Sequence, residues 1–170
     1  MKTTQHLEQK LTLANYGIFL QSLVAMLGSL YYSTFGDPVQ NIMAGRFFPS
    51  HGGFTPCELC WYARILMYPI VPISIIALLT EDRKFTKYVL PLAIPGILLE
   101  LYHYGLQKWN FPNAFQCTAA NPCSALQVDY FGFITIPFLC LLAFVVITGL
   151  SVWQIKLQRE LRQSAQNAVE

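Results

Sequence analysis

LTLANYGIFLQSLVAMLGSLYYSTFG, residues 11–36, contains no charged residue in 26 positions. A helix needs about 20 apolar residues to cross a hydrocarbon layer of about 30 Å, so this stretch is long enough to span a membrane. Tyr130–Ile155 repeats the pattern, again with 26 uncharged residues. Between these two lie shorter apolar runs. Ile65–Thr80 reaches spanning length if it starts near Leu59 and takes in Arg64, and Tyr88–Gln107 has Glu100 as its one charged residue. The expectation is an all-α bundle of four transmembrane helices, about 13–35, 60–79, 87–106 and 131–154, in a single domain of 170 residues with a tail at 155–170. Pro69, Pro72, Pro91, Pro95 and Pro137 fall in the later spans, where neighbouring helices can satisfy the freed backbone groups.

Composition agrees. The chain is 54% hydrophobic and 12% charged, with a mean hydropathy of +0.41; a soluble domain carries about 25% charged residues. Eleven Lys and Arg stand against nine Asp and Glu, a balance that offers no basic face for nucleic acid. Lys2 and Lys10 precede the first span, but its apolar length exceeds the roughly 7–15 residues of a signal-peptide core, which favours a retained anchor.

The basic residues set an orientation. Lys2, Lys10, Arg83, Lys84, Lys87, Lys156, Arg159 and Arg162 share one side, while the opposite loops hold Arg46 and Lys108. By the positive-inside rule both termini face the cytoplasm. The loops 36–59 and 107–130 then face outward.

Four of the five cysteines fall in those outer loops: Cys57 and Cys60, then Cys117 and Cys123. Cys140 lies inside the fourth span and reads as a small buried hydrophobe. Three readings stay open. Two structural staples would tie the loops on an oxidising face. A four-cysteine zinc shell would use both pairs, although five residues between Cys117 and Cys123 is loose for zinc. Redox exchange suits Cys57-Glu58-Leu59-Cys60, since a disulfide closed across two residues is exchangeable. Cys60 falls at the expected first helical turn, where backbone amides favour a thiolate.

Arg64 lies one turn below Cys60, and an arginine within a span is a functional candidate unless it snorkels to the headgroups. His103 sits near the end of the third span, where it is expected to line an aromatic cavity with Trp61, Tyr62 and Trp109. Glu100 should face the bundle interior or water, and Glu58 solvent. The chain lacks a GxGxxG fingerprint, a CxxCH haem motif and an iron–sulfur cysteine set. A lipid-soluble quinone is then the simplest electron acceptor within reach, and no metal is expected.

PCELCWYARILMYP, Pro56 to Pro69, and FGFITIPF, Phe131 to Phe138, resemble the disulfide-bond formation protein B family (DsbB), most closely its BdbC-type branch. The resemblance runs from the first span to the fourth. It implies a disulfide oxidoreductase of the bacterial cytoplasmic membrane, with its cysteine loops outside. Such a protein reoxidises an extracytoplasmic thioredoxin-like (DsbA-type) thiol oxidase and passes electrons to a membrane quinone, ubiquinone or menaquinone. Carried onto this chain, the likeness implies redox-active disulfides Cys57–Cys60 and Cys117–Cys123. Cys60 resembles the cysteine that contacts the quinone, Arg64 the arginine that stabilises that contact, and His103 the quinone-side histidine. Cys117 resembles the cysteine that receives the partner's thiol, and Cys123 the one that hands oxidation on, through Cys57. The Cys117–Cys123 spacing is shorter than in the better-known branch, which bears on how the second pair reaches the first. Vitamin K epoxide reductases also pair four helices with quinone chemistry, but their CxxC falls late in the chain. A non-catalytic membrane protein with stapled or zinc-bound loops is the alternative from another class.

Overall fold

The computed structural model describes residues 2–45, 52–112, 115, 117 and 122–166, with side chains from residue 5 onward. Arg46, Phe47 and Phe48 of the first loop lie outside the described residues. The described chain is helical: α1 (Lys2–Phe35), α2 (Pro38–Met43), α3 (Glu58–Met67), α4 (Ile70–Leu79), α5 (Thr86–Lys108) and α6 (Ile136–Gln166). No strand occurs among the described residues beyond an isolated antiparallel bridge between Tyr130 and Ile134. Four helical stretches are long and apolar enough to cross a membrane: Gln5–Phe35, Glu58–Leu79, Thr86–Lys108 and Ile136–Gln166.

The helices close a ring. α6 packs along both α1 and α5, α3 lies against α5, and α4 lies against α1. Ile18, Ile70, Phe85, Val89, Phe144 and Ile147 meet at its centre with no side-chain exposure above 2%. Gly96 lets α5 close on α6, because a Cβ there would sit 2.5 Å from the Phe144 ring. Two buried serine hydroxyls are satisfied within their own helices: Ser74 Oγ donates to the Ile70 carbonyl (2.7 Å) and Ser151 Oγ to that of Ile147 (2.8 Å). Leu13, Leu20, Ile65 and Leu98 turn outward and are exposed. A continuous apolar exterior of this kind suits lipid rather than water.

The structure departs from the sequence expectation at four places. The second span is two helices, because Pro69 has no N–H to donate and its ring crowds the preceding turn. Pro72 falls in the first turn of α4, where a missing N–H costs nothing. α6 begins at Ile136 rather than 131, since Phe131 and Gly132 hold positive φ values of 56° and 80° in the turn that precedes it. The segment expected as a tail continues α6 to Gln166, because Lys156–Gln166 is rich in Leu, Gln, Arg and Glu, all good helix formers. α1 likewise starts well before residue 13.

Each end of the ring has its own character. At the terminal end Arg83 Nη2 pairs with Glu8 Oε1 at 3.3 Å, and Gln154 and Gln158 donate to the Arg83 carbonyl. At the cysteine end the two long loops meet. Gln127 Nε2 donates to the Thr55 carbonyl (3.2 Å), and the Tyr130 hydroxyl donates to Asp37 Oδ1. Asp37 also caps α2, accepting from the Val39 amide at 2.9 Å. Partial burial first, and then the Asp37 acceptor, push the Tyr130 phenol above its ordinary value, so it stays a donor. Gly53 lies so close to the Ser33 carbonyl that a Cβ would collide with it.

Candidate functional site

Cys57 is the residue before the first turn of α3, with extended backbone (φ −76°, ψ 173°). From there its side chain curls back over the turn, and Sγ accepts the Cys60 amide at 3.4 Å. The helix terminus therefore favours charge on Cys57, where the sequence argument placed it on Cys60. A capping residue faces the free amides, whereas the third helical residue points sideways. Leu59, fully buried, anchors the turn between them. Both residues are thiols here, with sulfurs 2.9 Å apart. The Cys57 thiol is held well below its ordinary value, first by the hydrogen bond from Cys60 and then by His103, with burial opposing.

α5 supplies the base. His103 Nε2 lies 3.7 Å from Cys57 Sγ, and Nδ1 faces Glu100 Oε2 at 3.5 Å, one turn away on the same helix. His103 is 2% and Glu100 1% exposed. The pair is in loose contact, since neither of those two atoms has a hydrogen-bond partner. Glu100 faces the bundle interior, one of its two expected surroundings, and Glu58 is exposed as expected. Cys57, His103 and Glu100 thus form a line from a sulfur through an imidazole to a buried carboxyl.

Beside that line opens a cavity of about 300 Å³ between α1, α3, α5 and α6. Cys60, Arg64, Glu100 and His103 are among its polar lining, together with Gln21, Ser29, Ser33 and Gln127; Val24, Met67, Leu139 and Phe144 are among its apolar walls. Cys57 is not part of this lining. It borders a second chamber of about 10 Å³ with Gln107 and Cys123, room for about one water. Arg64 is fixed from α1: Nε donates to Ser29 Oγ (3.1 Å) and Nη2 to the Ser29 carbonyl (3.3 Å). The Tyr68 hydroxyl joins them at 3.3 Å. The guanidinium also lies 5.3 Å from the centre of the Trp61 ring.

Sequence reasoning missed Ser29, whose only signal is the small pair Gly28-Ser29 within an apolar run. His103 lines the cavity as expected, but Trp61, Tyr62 and Trp109 do not. These three are exposed, because Cys60, Ala63, Arg64 and Met67 take the cavity face of α3. Tyr32, Phe54 and Tyr68 supply aromatic surface instead. Phe54 brings the end of the first loop into the cavity wall, stacked on Tyr32 at 6.4 Å. Cys140 borders the same cavity rather than lying apart from it.

Cys117 and Cys123 are joined to each other, so a shell of four thiolates for zinc is not assembled. Cys123 is 1% exposed and packs with Cys57, Leu59 and Leu106; Cys117 is half-buried at the margin of this cluster. Both cysteine pairs therefore share one small core.

A dithiol at the head of a helical span of membrane length, in contact with a disulfide from another loop, defines a membrane thiol–disulfide protein. The family model described as disulfide bond formation protein DsbB matches residues 30–154. "Disulfide bond formation protein C" of Bacillus subtilis (strain 168) is 44% identical over 133 residues, covering 78% of this chain and 85% of that one. "Probable disulfide formation protein C" of Halalkalibacterium halodurans is 39% identical, covering 77% and 85%. "Probable disulfide formation protein C 1" of Bacillus cereus (strain ATCC 10987) is 39% identical, covering 88% and 96%. No solved structure matches the chain. The chain belongs to the DsbB family of disulfide bond formation proteins, and is a multi-pass membrane protein with a disulfide oxidoreductase site.

Proposed function

We propose that this protein oxidises an extracytoplasmic thioredoxin-like, DsbA-type thiol oxidase and passes the electrons to a membrane quinone. The observation that carries the reading is the placing of Cys60 Sγ, Arg64 and His103 on one largely apolar cavity, with the second disulfide packed behind Cys57. A volume of about 300 Å³ is at the lower end for small-molecule sites. Largely apolar walls suit a quinone ring, which Cys60, Arg64 and His103 would border, with Arg64 supplying positive charge. A bound quinone supplies a two-electron acceptor that dithiols reduce.

This chain's residues do the rest. A thiolate of the partner attacks Cys117, the more accessible sulfur of the outer disulfide, and releases Cys123. Cys123 then attacks the Cys57–Cys60 disulfide at Cys57, leaving Cys60 reduced against the cavity; the partner's second thiol closes its own disulfide and frees Cys117, which bonds Cys123 again and releases Cys57 reduced. Arg64 stabilises negative charge on Cys60 Sγ and on the facing oxygen, held ready by Ser29 and therefore needing little rearrangement. Lys10, Arg83, Lys84, Lys87, Lys156, Arg159 and Arg162 belong to the terminal end, which supports an orientation with the cysteine end outside the cytoplasm. The bacterial cytoplasmic membrane is the corresponding location.

The test is thiol counting on detergent-solubilised protein. After full reduction, addition of a water-soluble ubiquinone or menaquinone analogue should take the five thiols toward one, Cys140, with quinol formed in step. No quinone-dependent loss of thiols in folded protein would sink the reading and leave the cysteines as staples.

A further inference from the structure

Closing a disulfide between Cys57 and Cys60 removes two protons as well as two electrons, and the sulfurs differ in where their protons can go. Cys60 Sγ opens directly on the large cavity. Cys57 does not; it is buried among Leu59, Leu106 and Cys123 and meets the cavity through two neighbours that line it, Cys60, whose sulfur is 2.9 Å away and carries its own proton, and His103. His103 and Glu100 both line that cavity. One imidazole nitrogen faces the sulfur at 3.7 Å and the other faces the carboxyl at 3.5 Å. Among the described residues Glu100 Oε2 is buried without a hydrogen-bond partner, with His103 Nδ1 its charged neighbour at 3.5 Å. An acid so placed in an apolar wall is costly to keep without a task.

We propose that Glu100 is the proton carrier of the site: the proton that Cys57 cedes to His103 Nε2 as its thiolate forms is passed on when the Nδ1 proton moves to the Glu100 carboxylate, and Glu100 delivers it into the cavity. The inference rests on the quinone reading above. The balance is complete. The Cys57 thiolate, the proton it has ceded to His103 and Cys60–SH together give up two electrons and two protons as the S–S bond forms, the two electrons and two protons that turn a quinone into a quinol. One proton comes directly from Cys60 and the other by way of Glu100. His103 returns to its starting tautomer after rotation or a second exchange. The other titratable or charged groups bearing on this line are Cys60 and Arg64 of α3 and Cys140 of α6, with Tyr32 of α1 and Tyr68 lining the same cavity.

Glu100→Gln keeps the shape and removes the transferable proton; Glu100→Asp restores it on a shorter arm. Two readouts separate the proposal from a packing role. In fully reduced, quinone-free protein, the midpoint of thiolate ultraviolet absorbance should move to higher pH in Glu100→Gln and return part-way in Glu100→Asp. With a water-soluble quinone analogue, quinol formation should slow on the order of 10²-fold in Glu100→Gln, with a larger solvent deuterium isotope effect. Wild-type midpoint and rate in Glu100→Gln would overturn the proposal and assign the Cys57 proton to the small chamber beside Gln107. An equal loss in both variants, with the midpoint unmoved, would also overturn it, since that marks packing. Failure of the quinone reading shows separately, as no quinol from wild type, whereas the midpoint shift is read with no quinone present.

Discussion

Cys57 and Cys60 sit on the first turn of a helix, whereas Cys117 and Cys123 sit in irregular chain and hold each other. The first pair is oriented by secondary structure: an N-terminal amide, a buried leucine between the sulfurs and a histidine from the next span. The second is oriented by its own covalent bond and by burial of Cys123 against the first. An orientation imposed by a helix persists when the sulfurs are reduced. One imposed by a disulfide is lost with it. The inner pair is therefore suited to cycling against a fixed cavity, and the outer pair to opening toward a partner.

The comparison breaks most plainly at the sulfurs. Cys60→Ser should abolish quinone reduction from any reductant, a loss on the order of 10³-fold or more. Cys117→Ser should lose oxidation of the protein partner while a small dithiol still drives quinol formation. Steady-state quinol absorbance with each reductant tells the two apart. If Cys117→Ser fails with both, the pairs do not divide the work. Arg64→Ala should slow quinol formation on the order of 10²-fold, with the Cys117–Cys123 disulfide still formed by thiol trapping.

A pH comparison sharpens the contrast further. Because Cys57 titrates well below its ordinary value, reduced protein at about pH 6 should retain thiolate absorbance, where an ordinary thiol of pKa about 8.5 is almost fully protonated. The charge stabilises the fold, since the unfolded thiol titrates higher than the folded one. That contribution is complete above the unfolded value and fades as pH falls through the folded one. His103→Ala should move the midpoint upward. The smallest effect belongs to the loop seam: Tyr130→Phe removes the hydrogen bond to Asp37 and should cost about 1 kcal/mol, read as a lower thermal midpoint in detergent.

The four spans were legible because a charge-free run of membrane length has few other uses, and Cys57, Cys60, Arg64 and His103 stood out as chemically costly residues at a span's end. What the sequence concealed depends on which helices become neighbours. Ser29 matters only because α1 lies beside α3. Glu100 gains its place only when α5 turns His103 toward Cys57. Trp61 and Tyr62 lost their expected cavity role to the helical spacing of Cys60, Ala63, Arg64 and Met67. The break at Pro69 and the extension to Gln166 were local signals, outweighed in the reading by the requirement for spanning length.

The contact between Cys123 and the Cys57 cluster has a consequence for timing. A sulfur that must search for its target on a swinging loop exchanges at a rate set by diffusion, and thickening the solvent slows it. In the proposed relay Cys123 is held against Cys57 by burial in one packed interior as well as by its disulfide, so the handover would be a matter of bond chemistry rather than travel. Its pace should respond to acidity and to temperature, and be indifferent to viscosity.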